Sequence, residues 1–519
     1  MAPVKVLIFH GYPLRGTGSN VYNANVAQAL ARLGHDVHLL CQDRDAASLP
    51  WVSALGRWEG GELGVEPAGP APIGGSVTAY LPDIGGLLPV YVADAYEGFE
   101  ARTFPELSEE ELGRYLAANV AAVAAVERRI GGSDAALANH LIAGPAILAR
   151  ARLRFAAKIH GSALSYTVKP NPRFLPLARE GIEAAQVVLV GSRHTAEDLW
   201  RTLADVDGLA ARTRLGPPGV DVEAFSPLPS RSDAPGELEA LASEIEAASG
   251  SATTGLGRDT AEAARALRSY AAAEGPRVIF VGKLIVSKGC DLLLAAWPSV
   301  LARNPGARLL LVGFGEYREG LSRLWRAISG GDLDDAREVA RLGWALEGGR
   351  QEPLSYLEAF LEAPPEGYLD AARAAAGTVD LAGRLEYEEL AHAVRSSDAM
   401  VVPSTFPEAF GMVAAEAAAA GALPLCARHS GLAEVAGALA GALPAELGAL
   451  TSFDTGPGAV AEIAAKLNGW LALDEAERAP ARAALVEAAR SRWSWEGVAR
   501  AVIAASAGEL EGLDPVPSG

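Results

Sequence analysis

Cysteine is scarce in this chain, with three residues in 519: Cys41, Cys290 and Cys426. They are scattered and show no metal-ligand spacing, which excludes a disulfide scaffold and fits a reduced, cytoplasmic enzyme. Positive charge is short as well. With 45 Lys+Arg against 64 Asp+Glu the formal net charge is -19 at pH 7, so the basic field that a nucleic-acid partner needs is missing, although small anions can still bind at local cationic sites. No apolar run reaches bilayer length without a charge, so no spanning helix is predicted; peripheral membrane contact remains compatible. The opening V-K-V-L-I-F is too short for a signal segment and runs straight into His10 and Gly11, which makes it a first strand. The length itself excludes a single hydrophobic core and predicts two large domains with insertions.

What is present reads as one grammar written twice. Val4 to Phe9 predicts a strand, His10 to Gly18 a loop, Asn20 to Leu33 an amphipathic helix and Asp36 to Cys41 a second strand. That is the opening unit of a doubly wound sheet. Its loop R-G-T-G-S-N lacks the full G-x-G-x-x-G fingerprint; Gly18 either admits a ligand close to the backbone at the helix start or serves only a tight turn. Residues from Arg44 to about Glu100 read as irregular, and their aromatic residues (Trp51, Trp58, Tyr80, Tyr91, Tyr96, Phe99) as ring faces suited to sugars or as core. A helix over Ser108 to Ile130 and strands ending at His140, His160 and Val190 continue the pattern. His160, with Gly161 and Ser162, sits at a strand end where ligands gather in open α/β sheets; a packed or capping histidine is the plain alternative.

Gly216 to Pro227 reads as a domain exit, and Leu228 to Glu274 as helices or a mobile insertion without chemistry. The second half restarts with a strand at Arg277 to Gly282, a loop holding Lys283 and Lys288, a helix from Cys290 and a strand from Ala307. The two ammonium groups can meet on an anion held at that loop, or stay solvated. Tyr317 to Gly377 reads as a second helical insertion, whose D-L-D at Asp332 to Asp334 is taken as a solvated helix face rather than a metal site. The strand Asp398 to Pro403 then feeds the stretch the chain is organised around, Ser404 to Leu425, with Glu408 and Glu416 separated by seven residues across a short turn and an alanine-rich helix. If the helix began at Glu408, the two carboxylates would stand about 12 Å apart along its axis, too far to share a proton or a metal but able to hold two ends of one extended ligand. The N–H groups of Phe410, Gly411, Met412 and Val413 would face an anion between them.

Several motifs, taken in order, resemble the family-4 retaining glycosyltransferases (glycosyltransferase group 1). They are G-T-G-S-N-V-Y at Gly16 to Tyr22, H-G-S at His160, P-P-G-V-D at Pro217 to Asp221, V-G-K-L-x3-K-G at Val281 to Gly289, P-E-A-F-G-M-V-A-A-E at Pro407 to Glu416, and S-W-E at Ser494 to Glu496. The resemblance implies a GT-B fold of the α/β class: two Rossmann-like domains with parallel sheets facing across a cleft, with helical insertions. The expected division is 1–216 as the acceptor-side domain, 217–275 as linker and insertion, 276–490 as the donor-side domain with its insertion at 317–377, and 491–519 as a C-terminal helix packing back on the first domain.

The same resemblance implies roles. Glu416 would receive the donor ribose and Glu408 the donor sugar. Ala409, Phe410, Gly411, Met412 and Val413 would line sugar and phosphate, and Arg384, Leu385 and Gly18 complete the donor site. Lys283 and Lys288 would neutralise the departing diphosphate, with Lys283 standing where the family often has arginine, which loses a bidentate fork. His160 would stand near the reacting groups, with Ser19, Asn20 and Ser162 on the acceptor side. The implied reaction is metal-independent, retaining hexosyl transfer from a UDP-sugar, or a GDP-sugar, to a hydroxyl of a small-molecule, glycan or lipid-linked acceptor, with no cofactor. A sugar phosphorylase or nucleotide-sugar hydrolase of the same fold, and a non-catalytic carbohydrate or nucleotide-binding protein, are the alternatives.

Overall fold

The computed structural model describes residues 3–16, 18–69, 74–91, 96, 98–247 and 259–517. Thr17 of the first motif and residues 248–258 of the first expected insertion lie outside them. The chain divides into two compact units, one of Met1–Gly219 with Trp493–Gly519 and one of Val220–Arg492.

In the first unit the strands are β1 (Lys5–Phe9), β2 (Asp36–Leu40), β3 (Ala54–Glu59), β4 (Glu62–Pro67), β5 (Ser76–Leu81), β6 (Leu87–Val90), β7 (Glu100–Thr103), β8 (Ala135–Asn139), β9 (Ala156–Ile159), β10 (Val188–Val190) and β11 (Thr213–Leu215). Nine of them form one sheet in the order β11-β10-β9-β8-β1-β2-β5-β3-β4, and β6 pairs with β7 separately. Every pairing in the large sheet is parallel except β3 with β4. Those two meet in a hairpin whose Gly60-Gly61 turn takes positive φ at both residues, the geometry a two-residue loop needs. The stretch read as irregular from Arg44 to Glu100 therefore holds four strands and runs into a fifth. They are short and broken by glycine and proline, which hides their period. Of its rings Tyr80 is core, while Trp51, Trp58, Tyr91, Tyr96 and Phe99 are half-buried.

Alternation along β1 supplies both faces of this sheet. Leu7 and Phe9 enter one core with Leu40, Ala136 and Ala138, while Val6 and Ile8 enter the other with Val37, Leu39 and Leu137. The helix Ser19–Arg32 covers the second face, and so does the C-terminal helix Trp495–Ala507, which places Trp495, Val498 and Val502 in that core. Ser506 Oγ donates to the carbonyl of Ala136 at 2.9 Å, and the N–H of Leu215 donates to the carbonyl of Asp514 at 2.8 Å. The helix Glu109–Ile130 begins in a capping box between Ser108 and Glu111 and stops at Gly131, whose left-handed φ ends it.

The second unit contains β12 (Arg277–Val281), β13 (Arg308–Val312), β14 (Val379–Gly383), β15 (Ala399–Val402), β16 (Leu423–Ala427) and β17 (Ser452–Phe453), all parallel in the order β14-β13-β12-β15-β16-β17. The order turns back at β12 and β15, so their carboxyl ends flank the crevice where such sheets bind ligands. The described part of the 228–274 segment is helical, at Ala234–Ala247 and Thr260–Ala271. The 317–377 segment is a set of short helices tied to the helix Cys290–Leu301 by a 2.8 Å bond from the Tyr368 hydroxyl to the Ala295 carbonyl. Its aspartates do not converge: Asp332 caps a helix by accepting from the Asp335 N–H, Asp335 pairs with Arg323, and Asp334 is solvated. Among the described residues no helix is long and apolar enough to cross a membrane.

Candidate functional site

In the second unit the loop after β12 meets the loop after β15. The N–H of Thr405 donates to the Ser287 carbonyl at 2.9 Å. Gly289, at φ +64, lies so close to Pro403 that a Cβ there would stand 2.1 Å from its carbonyl oxygen. This contact brings the Lys288 ammonium onto Glu408 Oε1, which also accepts from Ser404 Oγ at 2.7 Å. The pair is about three-quarters buried, at 29% and 27% side-chain exposure. Lys283 stands exposed at the other end of the loop and makes no hydrogen bond or ion pair among the described residues.

The helix begins at Met412, not at Glu408, with Gly411 as its N-cap. The 12 Å axial spacing therefore does not hold: Glu408 sits in an extended loop that proline and glycine keep out of the helix. That loop is held from below by His429-Ser430-Gly431, a motif visible at a strand end but given no role by the sequence. Ser430 Oγ accepts from the Glu408 N–H at 2.9 Å, and the Gly431 N–H donates to the Glu408 carbonyl at 2.9 Å. His429 Nε2 lies 2.6 Å from the carbonyl of Ser404, which can only accept, so that nitrogen carries the proton and Nδ1 is left to receive the Ser430 hydroxyl at 3.0 Å. Gly431 has no Cβ because one would fall 2.7 Å from the backbone of Ala409 and Phe410.

Glu416, one turn into the helix, is 4% exposed. Burial pushes its carboxyl up to about 7, and the nearby charge of Asp221 adds to the shift while Tyr387 opposes it. The Tyr387 hydroxyl is itself buried without a partner in hydrogen-bond geometry. Arg384 pairs with Glu386 at 3.3 Å and lies over the Phe314 ring, and Leu385 is buried.

The first unit carries a polar network of fixed direction at the carboxyl ends of β1, β8 and β9. Asn139 Nδ2 is used on the carbonyl of Phe9 (3.1 Å) and on Asn23 Oδ1 (2.7 Å), so its Oδ1 accepts from His160 Nε2 at 2.8 Å. Asn23 Nδ2 then donates to His10 Nδ1 at 3.0 Å, and His10 Nε2 donates to Asn20 Oδ1 and the Pro13 carbonyl, both at 3.1 Å. The chain of donors leaves His160 Nδ1 as a bare acceptor. Desolvation, with His140, Lys158 and His10 adding to it, holds the His160 pKa well below the usual imidazole value, so the ring is neutral. Asn20 and Gly18 are thus placed beside the network, Gly18 as the open N-cap of the helix at φ 61, with Ser19 opening that helix and Ser162 following His160.

Sequence reading missed His140. Its ring packs 4.9 Å from His160 and 4.5 Å from Tyr91, at a positive φ of 69°, with both nitrogens buried and unpartnered. Only its position at a strand end, before a residue pair reading Leu-Ile, could have drawn attention to it.

Comparison with known proteins matches both units. The description "Glycosyltransferase Family 4" covers residues 16–224 and "Glycosyl transferases group 1" residues 368–492. A GDP-mannose-dependent alpha-(1-6)-phosphatidylinositol monomannoside mannosyltransferase of Mycobacterium tuberculosis is 31% identical over 179 residues, which is 34% of this chain and 37% of that protein. The chain therefore aligns with little more than a third of that relative's length. A D-inositol 3-phosphate glycosyltransferase of Actinosynnema mirum is 26% identical over 83% of this chain and 82% of its own. Among solved structures, a glycosyltransferase from Rickettsia africae superposes with a TM-score of 0.56 at 13% identity, covering 99% of this chain and 100% of that one. A sucrose-phosphate synthase from Thermosynechococcus elongatus gives 0.51 at 18%, covering 96% and 97%. These likenesses carry the fold, and the two matched descriptions carry the family: the chain belongs to the family-4, group 1 glycosyltransferases and has their GT-B fold.

Proposed function

We propose that this chain transfers a hexosyl group from a nucleoside-diphosphate sugar to a hydroxyl acceptor with retention at the anomeric carbon. The observation that carries the reading is the Lys288–Glu408 pair, set at the carboxyl ends of β12 and β15 beside the free N–H groups that open the helix at Met412. A diphosphate arriving there takes over the ammonium and frees the carboxylate for sugar hydroxyls. The bond from the anomeric carbon to the diphosphate oxygen breaks, the acceptor oxygen bonds to that carbon from the same face, and the acceptor proton passes to a phosphate oxygen. Stabilising the leaving charge is the protein's main contribution. Lys288 and Lys283 supply positive charge without a metal in this scheme. The named relatives point to a GDP-sugar donor and to inositol-containing acceptors, a UDP-sugar being the other donor the family resemblance implies, and the three free, buried cysteines suit a reducing compartment.

A thermal-shift screen with UDP-glucose, GDP-mannose, UDP, GDP and ADP, each with and without EDTA, tests the proposal. One nucleotide class is expected to raise the melting temperature, with EDTA without effect and the shift abolished in Glu416→Ala. Stabilisation only by phosphate or a free sugar would replace the transferase by a phosphorylase or a binding protein.

Glu416 adds a pH signature. A carboxyl raised from its ordinary 4.5 to about 7 costs stability as pH rises, because the unfolded chain releases its proton first. Ribose hydroxyls that donate to the carboxylate favour its ionised form. Affinity for the intact sugar nucleotide, whose phosphates do not titrate in this range, is thus expected to rise from pH 6 to pH 8. In Glu416→Gln the slope should vanish; calorimetric titration that finds the same slope in both proteins would remove ribose from this carboxyl.

A further inference from the structure

Arg478 is an anomaly in a chain of net charge -19. Its side chain is 19% exposed, yet its guanidinium makes no hydrogen bond among the described residues, and its Nε is fully buried without an acceptor. The nearest carboxylate is Asp398, at 4.0 Å, and its Oδ1 is already engaged by Arg231 at 3.2 Å while Oδ2 accepts from the Arg277 N–H at 2.9 Å. Arg482, one helical turn further on, is 13% exposed. Desolvation lowers its pKa most, the positive charges of Arg231 and Arg478 push the same way, and Glu475, its exposed partner, opposes them. Three guanidinium groups thus stand within electrostatic reach of one shared carboxylate.

A guanidinium whose Nε is buried without an acceptor, and whose remaining donors reach solvent without a hydrogen-bond partner among the described residues, is destabilising unless an anion or acceptor meets it. Nothing in the proposed transferase chemistry uses these residues: Asp398 immediately precedes β15, at the end of the strand opposite the one that leads to Glu408. The protein already spends the donors of Arg231 on the carbonyls of Arg395 (2.7 Å) and Ser396 (3.0 Å), which fixes it as a wall and leaves Arg478 as the free fork, with Arg482 beside it held only by the exposed Glu475. A planar guanidinium with adjacent N–H groups matches a tetrahedral oxyanion, and two of them match a dianion.

We propose that Arg478 and Arg482, walled by Arg231, form a second anion site that binds a phosphate group, remote from the Lys288–Glu408 pair. The ligand is a phosphate dianion, free or esterified on a small metabolite, or the phosphate of a lipid headgroup. Its binding fastens the helix Glu475–Trp493 to the segment that starts β15.

The test compares wild type with Arg478→Met, which keeps the length and removes the charge, and with Lys288→Ala, which weakens any phosphate binding at the donor site. Melting temperatures are read in inorganic phosphate, in glucose 6-phosphate and in potassium chloride of equal ionic strength, and sedimentation is followed with phosphatidylglycerol vesicles. Phosphate is expected to stabilise wild type and Lys288→Ala alike, with the shift lost in Arg478→Met. Without phosphate, Arg478→Met is expected to melt at or above the wild-type temperature, because a guanidinium whose buried Nε lacks an acceptor has been removed. Cosedimentation that depends on Arg478, with no shift in soluble phosphates, assigns the group to a lipid headgroup. A phosphate shift that survives Arg478→Met, or the absence of a shift in wild type without any Arg478-dependent vesicle binding, overturns the site.

Discussion

Lys288→Ala is expected to lower kcat for the sugar nucleotide by about 10²–10³ while leaving the melting temperature close to that of wild type. The two halves of that result have separate causes. The ion pair with Glu408 keeps about a quarter of each side chain in solvent, and Ser404 Oγ still donates to the carboxylate when the ammonium is gone, so the loss to folding is small. The same ammonium, facing a diphosphate whose charge grows as the glycosidic bond breaks, acts where charge develops, and its loss falls on the transition state. Lys288→Arg is expected to recover only part of the rate, because a planar fork is longer and fixes a different geometry than a point charge. Steady-state kinetics beside thermal denaturation would read both. A large drop in stability with an unchanged kcat would reduce Lys288 to a structural clasp for the Glu408 loop.

Gly289→Ala is expected to cost about 2–4 kcal/mol of stability. Glycine adopts φ +64 freely, whereas alanine is strained there, and the added carbon would lie 2.1 Å from the Pro403 carbonyl and 3.3 Å from Thr405 Cγ2. Backbone cannot yield as a flexible side chain can. The loop holding Lys288 must therefore move away from the segment leading to Glu408, so nucleotide-induced stabilisation should disappear together with the lost melting temperature. Denaturation with and without the sugar nucleotide checks this. An intact nucleotide shift in a destabilised variant would mean that the two loops bind their ligand independently.

Much of this arrangement is legible in the order of residues. The β-branched runs at Val4 to Phe9 and Arg277 to Gly282 are uniform enough that strand is the only reading, and Ser108 with Glu111 marks a helix start by itself. The P-E-A-F-G-M-V-A-A-E stretch points to Glu408 and Glu416, and their environments differ: one is paired in a loop, the other buried in a helix. What stays hidden depends on partners distant in sequence. Nothing local in β3 to β7 distinguishes short strands from loop text, because their pairing is decided by neighbours such as β2 and β5. That Lys288 reaches Glu408 follows from the contact of Gly289 with Pro403, more than a hundred positions away. His140, His429 and Ser430 carry no signature, since an orphaned or relaying side chain differs from an ordinary one only through what surrounds it.

The return of residues 493–517 to the first unit has a consequence for synthesis. As the chain leaves the ribosome, β1 to β11 emerge before the second unit, but the part of their sheet that receives Trp495, Val498 and Val502 stays uncovered until residues 493–507 have been made. The second unit, encoded wholly in between, can close its core while the first still waits. The half made first is thus the half finished last, and during that interval its exposed apolar face is the surface a chaperone would find.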